Sequence, residues 1–270
     1  MRRVIFNQKG GVGKSTITCN LAAISAARGA RTLVVDLDPQ CNSTQYLLGA
    51  GADAVGPTVA DFFSQMLSFS LYGKETGEFI HATPFPGLDV MPAHPELEAL
   101  QGKLESRYKI YKLRDALNEL EGYDAIYLDT PPALNFFTRS ALIAARGCLI
   151  PFDCDDFSRR ALYSLLENVQ EIRQDHNPDL EVDGIVVNQF QSRANLPRKL
   201  VRELVQEGLP VLGSTLSSSV KIRESHEQAR PLIHLAAGHK VTQEFVALHE
   251  ELARRRKPSR SARARARAEA

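Results

Sequence analysis

Residues 8–16 read Gln8-Lys9-Gly10-Gly11-Val12-Gly13-Lys14-Ser15-Thr16, set between a short β-branched run and a long helical stretch. In that setting the segment reads as a phosphate-binding loop. Glycines let the backbone curl so that successive N–H groups face an anion, and the helix that follows adds the positive end of its dipole. Lys14 is placed to meet the β- and γ-phosphates of a nucleotide, and the Ser15 hydroxyl to ligate Mg²⁺. Gly10, Gly11, Val12, Gly13 and Thr16 complete the expected phosphate shell.

Two other runs carry carboxylates. In Asp36-Leu37-Asp38-Pro39, strand alternation puts Asp36 and Asp38 on one face, and Pro39 stops the strand where a ligand would lie. A carboxylate there can hold an attacking water; the other reading of both is a strand-end turn with an Asx cap. The run Ala125-Ile126-Tyr127-Leu128-Asp129 delivers a further carboxylate to the same edge. Mg²⁺ takes octahedral oxygens and keeps several waters, so the Ser15 hydroxyl, phosphate oxygens and a water-bridged Asp129 suffice, with Asp38 beside them.

The elements that must hold these groups follow from the pattern of apolar runs. Strands are expected at 3–7, 31–36, 88–91, 125–129, 148–152 and 184–188, and amphipathic helices at 15–28, 108–120, 159–173, 197–207 and 241–254. Strands apolar on both faces, alternating with helices, define an α/β fold: a mostly parallel, twisted sheet with helices on both faces. Ligands of such sheets sit at the carboxyl ends of the strands. Residues 49–87, rich in Gly and Pro, read as a surface excursion with one helix over 58–67.

The 270 residues are 43% hydrophobic, an ordinary globular composition. A secretory signal is not expected, nor a bilayer span, since no apolar stretch approaches about 18 residues. Cys19, Cys41, Cys148 and Cys154 lack CxxC spacing, which argues against a disulfide framework or zinc knuckle; for Cys148 and Cys154 buried thiols are the better reading. The net charge of +1 conceals a tail: residues 254–270 carry +7, leaving −6 on the rest. A cationic end points to a polyanion, nucleic acid before membrane, or else to a solvated terminus. The division expected is an ATPase domain over 1–257 and a disordered basic tail over 258–270.

The GGVGKS loop with the additional Lys9 resembles the deviant Walker A motif of the ParA/MinD superfamily of P-loop ATPases. Asp36-Leu37-Asp38-Pro39-Gln40, Asp129-Thr130-Pro131-Pro132 and the Val220–Glu224 segment resemble its ParA branch, in the short form with no preceding helix-turn-helix. The resemblance implies a partner-stimulated ATPase that uses ATP and Mg²⁺. In it Lys9 reaches the phosphates of a second subunit in an ATP-sandwich homodimer, Asp38 orients water, Asn42 senses nucleotide, and Asn188 falls where adenine is recognised. Lys9, Lys14 and Asp38 are then the catalytic set. Leu216-Ser217 stands where the family often has Ile-Pro, and Gln189-Phe190 also departs from its usual residues.

The same resemblance implies non-specific DNA binding through Arg193, Lys221 and Arg223, and a ParB-like or cargo-adaptor partner in segregating a chromosome, plasmid or other cargo. A cytoplasmic, nucleoid-associated location follows. The bulky apolar C-terminal helix that anchors the MinD branch has no counterpart after Leu252, so membrane insertion is not expected. The alternatives are a nucleotide switch that positions a protein assembly without touching DNA, and a metal-cluster carrier or reductase.

Overall fold

The computed structural model describes residues 1–68, 73–153, 158–190 and 195–255. Residues 256–270, including the expected tail, Cys154 and Arg193 lie outside the described residues, as does any test of the boundary at 257.

Eight strands form one sheet: β1 (Arg2–Ile5), β2 (Thr32–Asp36), β3 (His81–Ala82), β4 (Leu88–Met91), β5 (Ala125–Asp129), β6 (Gly147–Asp153), β7 (Glu181–Asn188) and β8 (Val211–Thr215). Their order is β3-β4-β2-β5-β1-β6-β7-β8. Every described pairing is parallel except the two-residue β3 against β4. The helices are α1 (Lys14–Ala27), α2 (Asn42–Leu48), α3 (Val59–Gln65), α4 (Leu97–Ser106), α5 (Lys112–Glu119), α6 (Phe136–Ala144), α7 (Ser158–Asp175), α8 (Asn195–Gln206), α9 (Val220–Glu227), α10 (Leu232–Leu235) and α11 (Lys240–Arg255).

Strand alternation sorts the core into two layers. Val4, Leu33, Val35, Ile126, Leu128 and Ile150 face α3 to α8, while Ile5, Val34, Val90, Tyr127, Leu149 and Val186 face α1, α2, α10 and α11. Burial of both faces explains the continuous apolar runs in the sequence. Helix α1, expected to be amphipathic, is instead buried on nearly every side, from Ile17 through Ala26. It lies between the sheet and α11, and its alanines, serine and threonine allow that close approach.

The excursion over 49–87 is more than surface. Thr58 caps α3, its hydroxyl accepting from Ala60 N (3.2 Å) and its own N–H donating to Asp61 (2.7 Å). Phe62, Phe63 and Phe79 enter the core as edge-to-face rings, and β3 covers the β4 edge. At the opposite edge, Glu251 of α11 accepts from Gly213 N (3.0 Å) and Ser214 N (2.8 Å) of β8.

Candidate nucleotide site

The carboxyl ends of β1, β2 and β5 meet where the strand order reverses, and α1 starts at the same point. Gly11 and Gly13 have φ of +75° and +84°, conformations that admit glycine, so the loop turns sharply into α1. The first hydrogen bond of α1 runs from Ile17 N to Gly13 O (2.9 Å), which leaves the N–H groups of Lys14, Ser15 and Thr16 ahead of the helical ladder. A pocket of about 350 Å³ opens there, lined by Gly10, Gly11, Gly13, Lys14, Ser15, Thr16, Asp38, Gln40, Asn42, Pro132 and His226.

Lys14 is 7% exposed, and its Nζ donates to Lys9 O (3.2 Å). Burial lowers its pKa while Asp129 and Asp38 oppose that shift, as a cation held for an anionic ligand requires. Asp129 is fully buried and held by Ser43 Oγ (2.7 Å), Thr130 N (3.1 Å) and the Ser15 hydroxyl. Burial pushes its carboxyl above the ordinary range, against the hydroxyls that favour its charged form. Asp38 faces the pocket and accepts from Gln40 N (3.0 Å).

Asp36 does not share Asp38's face. Strand β2 ends at Asp36, and the chain leaves strand geometry there because Asp38 N donates back to Asp36 Oδ1 (3.1 Å). The other oxygen of Asp36 accepts from Thr44 N and Thr44 Oγ1, each at 2.8 Å. Asp36 thus pins the first turn of α2 and takes the structural role of the two open at the sequence level. Burial, with Asp129 as a second cause, pushes its carboxyl up as well.

Asn188 does not line the pocket. Its Nδ2 donates to Val12 O (2.8 Å), and Gln189 Nε2 donates to Gly11 O (3.0 Å), so the end of β7 braces the loop from behind. Lys9 also lies outside the pocket lining: its Nζ is 3.7 Å from Asp153 and its side chain is 42% exposed. Lys221 is paired with Glu224 one turn along α9, and Arg223 is exposed. Cys148 is fully buried in the apolar layer beside β1. Sequence reasoning did not find His226, whose ring stacks on Tyr46, because that contact joins residues 180 positions apart and leaves no local pattern.

The residues fit a phosphate-bearing nucleotide and a hard cation. The unladdered N–H groups and buried Lys14 suit phosphate oxygens, and the buried Asp129 carboxyl, pushed up against the Ser15 hydroxyl with Asp38 on the pocket wall, is a donor set short of positive charge.

This fold and loop define a nucleotide-binding α/β ATPase of the P-loop class. A family described as an AAA domain matches residues 3–182. The chain is 35% identical over 259 residues to the chromosome partitioning protein ParA of Myxococcus xanthus, covering 94% of this chain and 88% of that one. It is 34% identical over 227 residues to the chromosome-partitioning ATPase Soj of Thermus thermophilus, with 83% and 84% covered. Among solved structures, cobyrinic acid a,c-diamide synthase of Mycobacterium smegmatis, with a bound ATP analogue and magnesium, superposes with a TM-score of 0.73 at 28% identity over 89% and 97% of the two chains. MinD of Pyrococcus furiosus shares the fold, with a TM-score of 0.75 at 22% identity over 94% and 98%. The chain belongs to the ParA family of partition ATPases.

Proposed function

We propose that this chain is a Mg²⁺-dependent ATPase that closes as an ATP-sandwich homodimer, binds DNA without sequence preference, and segregates or positions a chromosome, plasmid or other cargo with a ParB-like or adaptor partner. The observation that carries the reading is the convergence of Lys14, Ser15 and Asp38 on one pocket at the strand ends, with buried Asp129 bonded to the Ser15 hydroxyl. The M. xanthus and T. thermophilus relatives are chromosome-partitioning proteins, which supports segregation as the output.

Each residue's share follows from its surroundings. The N–H groups at the start of α1 and the Lys14 ammonium bind and orient phosphate oxygens. Mg²⁺, when bound, supplies Lewis-acid charge at the phosphoryl oxygens, and Ser15, Asp129 and Asp38 are the residues that would hold it. Asp38 also orients the attacking water by accepting its hydrogen bond. Lys9, outside its own pocket, serves the partner subunit, and Asn42, on the pocket lining, senses the nucleotide. Asn188 joins the adenine side of the site through the loop it braces.

DNA contact falls to Arg193, Lys221 and Arg223, with the cationic tail adding long-range attraction. Among the described residues no helix is long and apolar enough to cross a membrane. The pairing of Lys221 with Glu224 favours one other reading, a nucleotide switch that works through protein contacts alone. Fluorescence anisotropy of an arbitrary duplex with ATP, ADP or no nucleotide separates the two. Tight binding with ATP alone is expected, and no binding in any state overturns the DNA reading.

A further inference from the structure

The nucleotide pocket has a residue on its wall that the phosphate loop does not supply. His226 Nε2 lies 2.9 Å from Thr16 Oγ1. Its ring stacks on Tyr46 with centroids 4.1 Å apart and planes 19° from parallel. A circuit of hydrogen bonds holds this pair. Asn20 Nδ2 donates to Thr16 O (2.8 Å) and to Tyr46 Oη (3.2 Å). Tyr46 Oη meets Ser225 Oγ at 2.8 Å, and Ser225 Oγ donates to Ile222 O at 2.7 Å. Ser225 precedes His226 on α9, so the circuit closes through α1, α2 and α9.

The direction of each bond can be worked out from the partners. Ile222 O accepts only, so Ser225 donates to it and Tyr46 donates to Ser225. Phosphate oxygens likewise accept only, and Thr16 stands on the pocket wall among the first-turn residues of α1. For the Thr16 hydroxyl to donate its single proton to phosphate, it must accept from His226, which requires the Nε2–H form of the ring. With Nε2 unprotonated the hydroxyl proton would point at the ring and away from the pocket.

We propose that His226 is a positioning residue for the nucleotide: as the Nε2–H form it donates to Thr16 Oγ1 and so turns the Thr16 hydroxyl into a phosphate donor. Tyr46 fixes the ring plane, and the Asn20–Tyr46–Ser225 chain fixes Tyr46. Because His226 bonds Thr16 while Asp38 bonds Gln40 N, His226 acts on bound phosphate through Thr16, and its effect falls on affinity for ATP and ADP alike rather than on the hydrolytic step. This rests on the nucleotide reading of the pocket and not on DNA or dimer formation.

The test measures the Kd of fluorescent ATP and ADP analogues by titration, with KM and kcat alongside. His226→Ala should weaken both nucleotides about fivefold, the scale of one lost hydrogen bond, with the loss carried by KM. His226→Gln, whose amide still donates, should restore binding to within about twofold. His226→Phe keeps a ring on Tyr46 but cannot donate, and should bind as weakly as His226→Ala. Adding Thr16→Val to His226→Phe should cost nothing beyond Thr16→Val alone. Wild-type affinity in His226→Phe would show that the ring only packs, and a Gln variant as weak as Ala would remove the donor role; either overturns the proposal. Nucleotide that fails to bind the wild-type chain would instead overturn the reading of the pocket itself.

Discussion

Gly13 is held from two sides. Its φ of +84° strains any L side chain, and a Cβ built there would lie 2.5 Å from Asn188 Nδ2. Gly13→Ala should therefore destabilise the fold by about 2–4 kcal/mol, from backbone strain plus overlap, and displace the loop. Thermal unfolding and nucleotide titration would both register it. Asn188→Ala removes the clashing atom, so the double variant should be less damaged than the two single losses added together. Lys14→Ala and Asp38→Ala should behave differently from each other. The first removes the buried cation and should weaken ATP about 100-fold or more. The second should keep ATP bound while steady-state hydrolysis falls, since it takes away the carboxylate that orients water. Unchanged turnover in Asp38→Ala would move that role elsewhere. The phosphate loop was legible in the sequence because its chemistry is local, nine consecutive residues between a strand and a helix. Asp36 and Asp38 were separated by the family resemblance and not by the local pattern, since what distinguishes them physically is Thr44, eight residues beyond Asp36 and placed by a left-handed turn at Cys41.

Helices α1 and α11 meet across a polar cluster. Ser25 Oγ lies 2.8 Å from Tyr127 Oη and 3.0 Å from His249 Nε2, and Arg28 approaches the same imidazole. Burial, then Arg28 and Arg3, lower the His249 pKa to about 4. The unfolded chain takes up this proton near pH 6.5, whereas the folded chain does not until about pH 4. Between these values the unfolded state binds more protons, so the contribution to stability is full above pH 6.5 and is lost as the pH falls toward 4. For a ring partly open to solvent the loss is of the order of 1 kcal/mol, or about 2–4 °C in Tm. His249→Gln should melt with a shallower pH dependence than wild type over that window, and an identical slope would remove His249 as a cause. At this scale the strong periods were readable: α11 was expected over 241–254 and spans Lys240–Arg255. Helix α6 escaped notice because Phe136 through Ala144 are buried on almost every side, apart from Arg139, and show no polar face. Strand β8 escaped because its five residues include Gly213 and Ser214 rather than a β-branched run.

Across the whole molecule charge is divided between a −6 body and a +7 terminus. If α9 carries the nucleotide-gated contact, Lys221→Glu with Arg223→Glu should abolish binding to an arbitrary duplex and leave ATP affinity unchanged. Deleting residues 258–270 should weaken binding and flatten its salt dependence by up to roughly 0.9 for each phosphate no longer neutralised, with the preference for ATP retained. Anisotropy across a salt series reads both. Binding equal in all nucleotide states and abolished by truncation alone would assign the whole interaction to the terminus.

The carboxylate of Glu251 has a consequence for what the molecule can join. A sheet edge with a free row of N–H groups is a template on which a strand from another chain can grow, and parallel sheets end in two such edges. Here one edge is closed by the two residues of β3, too short to template a successor, and at the other Glu251 occupies the Gly213 and Ser214 N–H groups. Partial burial raises the Glu251 pKa, but the backbone donors and Arg255 hold it below the usual range, so the blockade persists into mild acid. Copies of this chain are thereby steered away from edge-to-edge fibre growth.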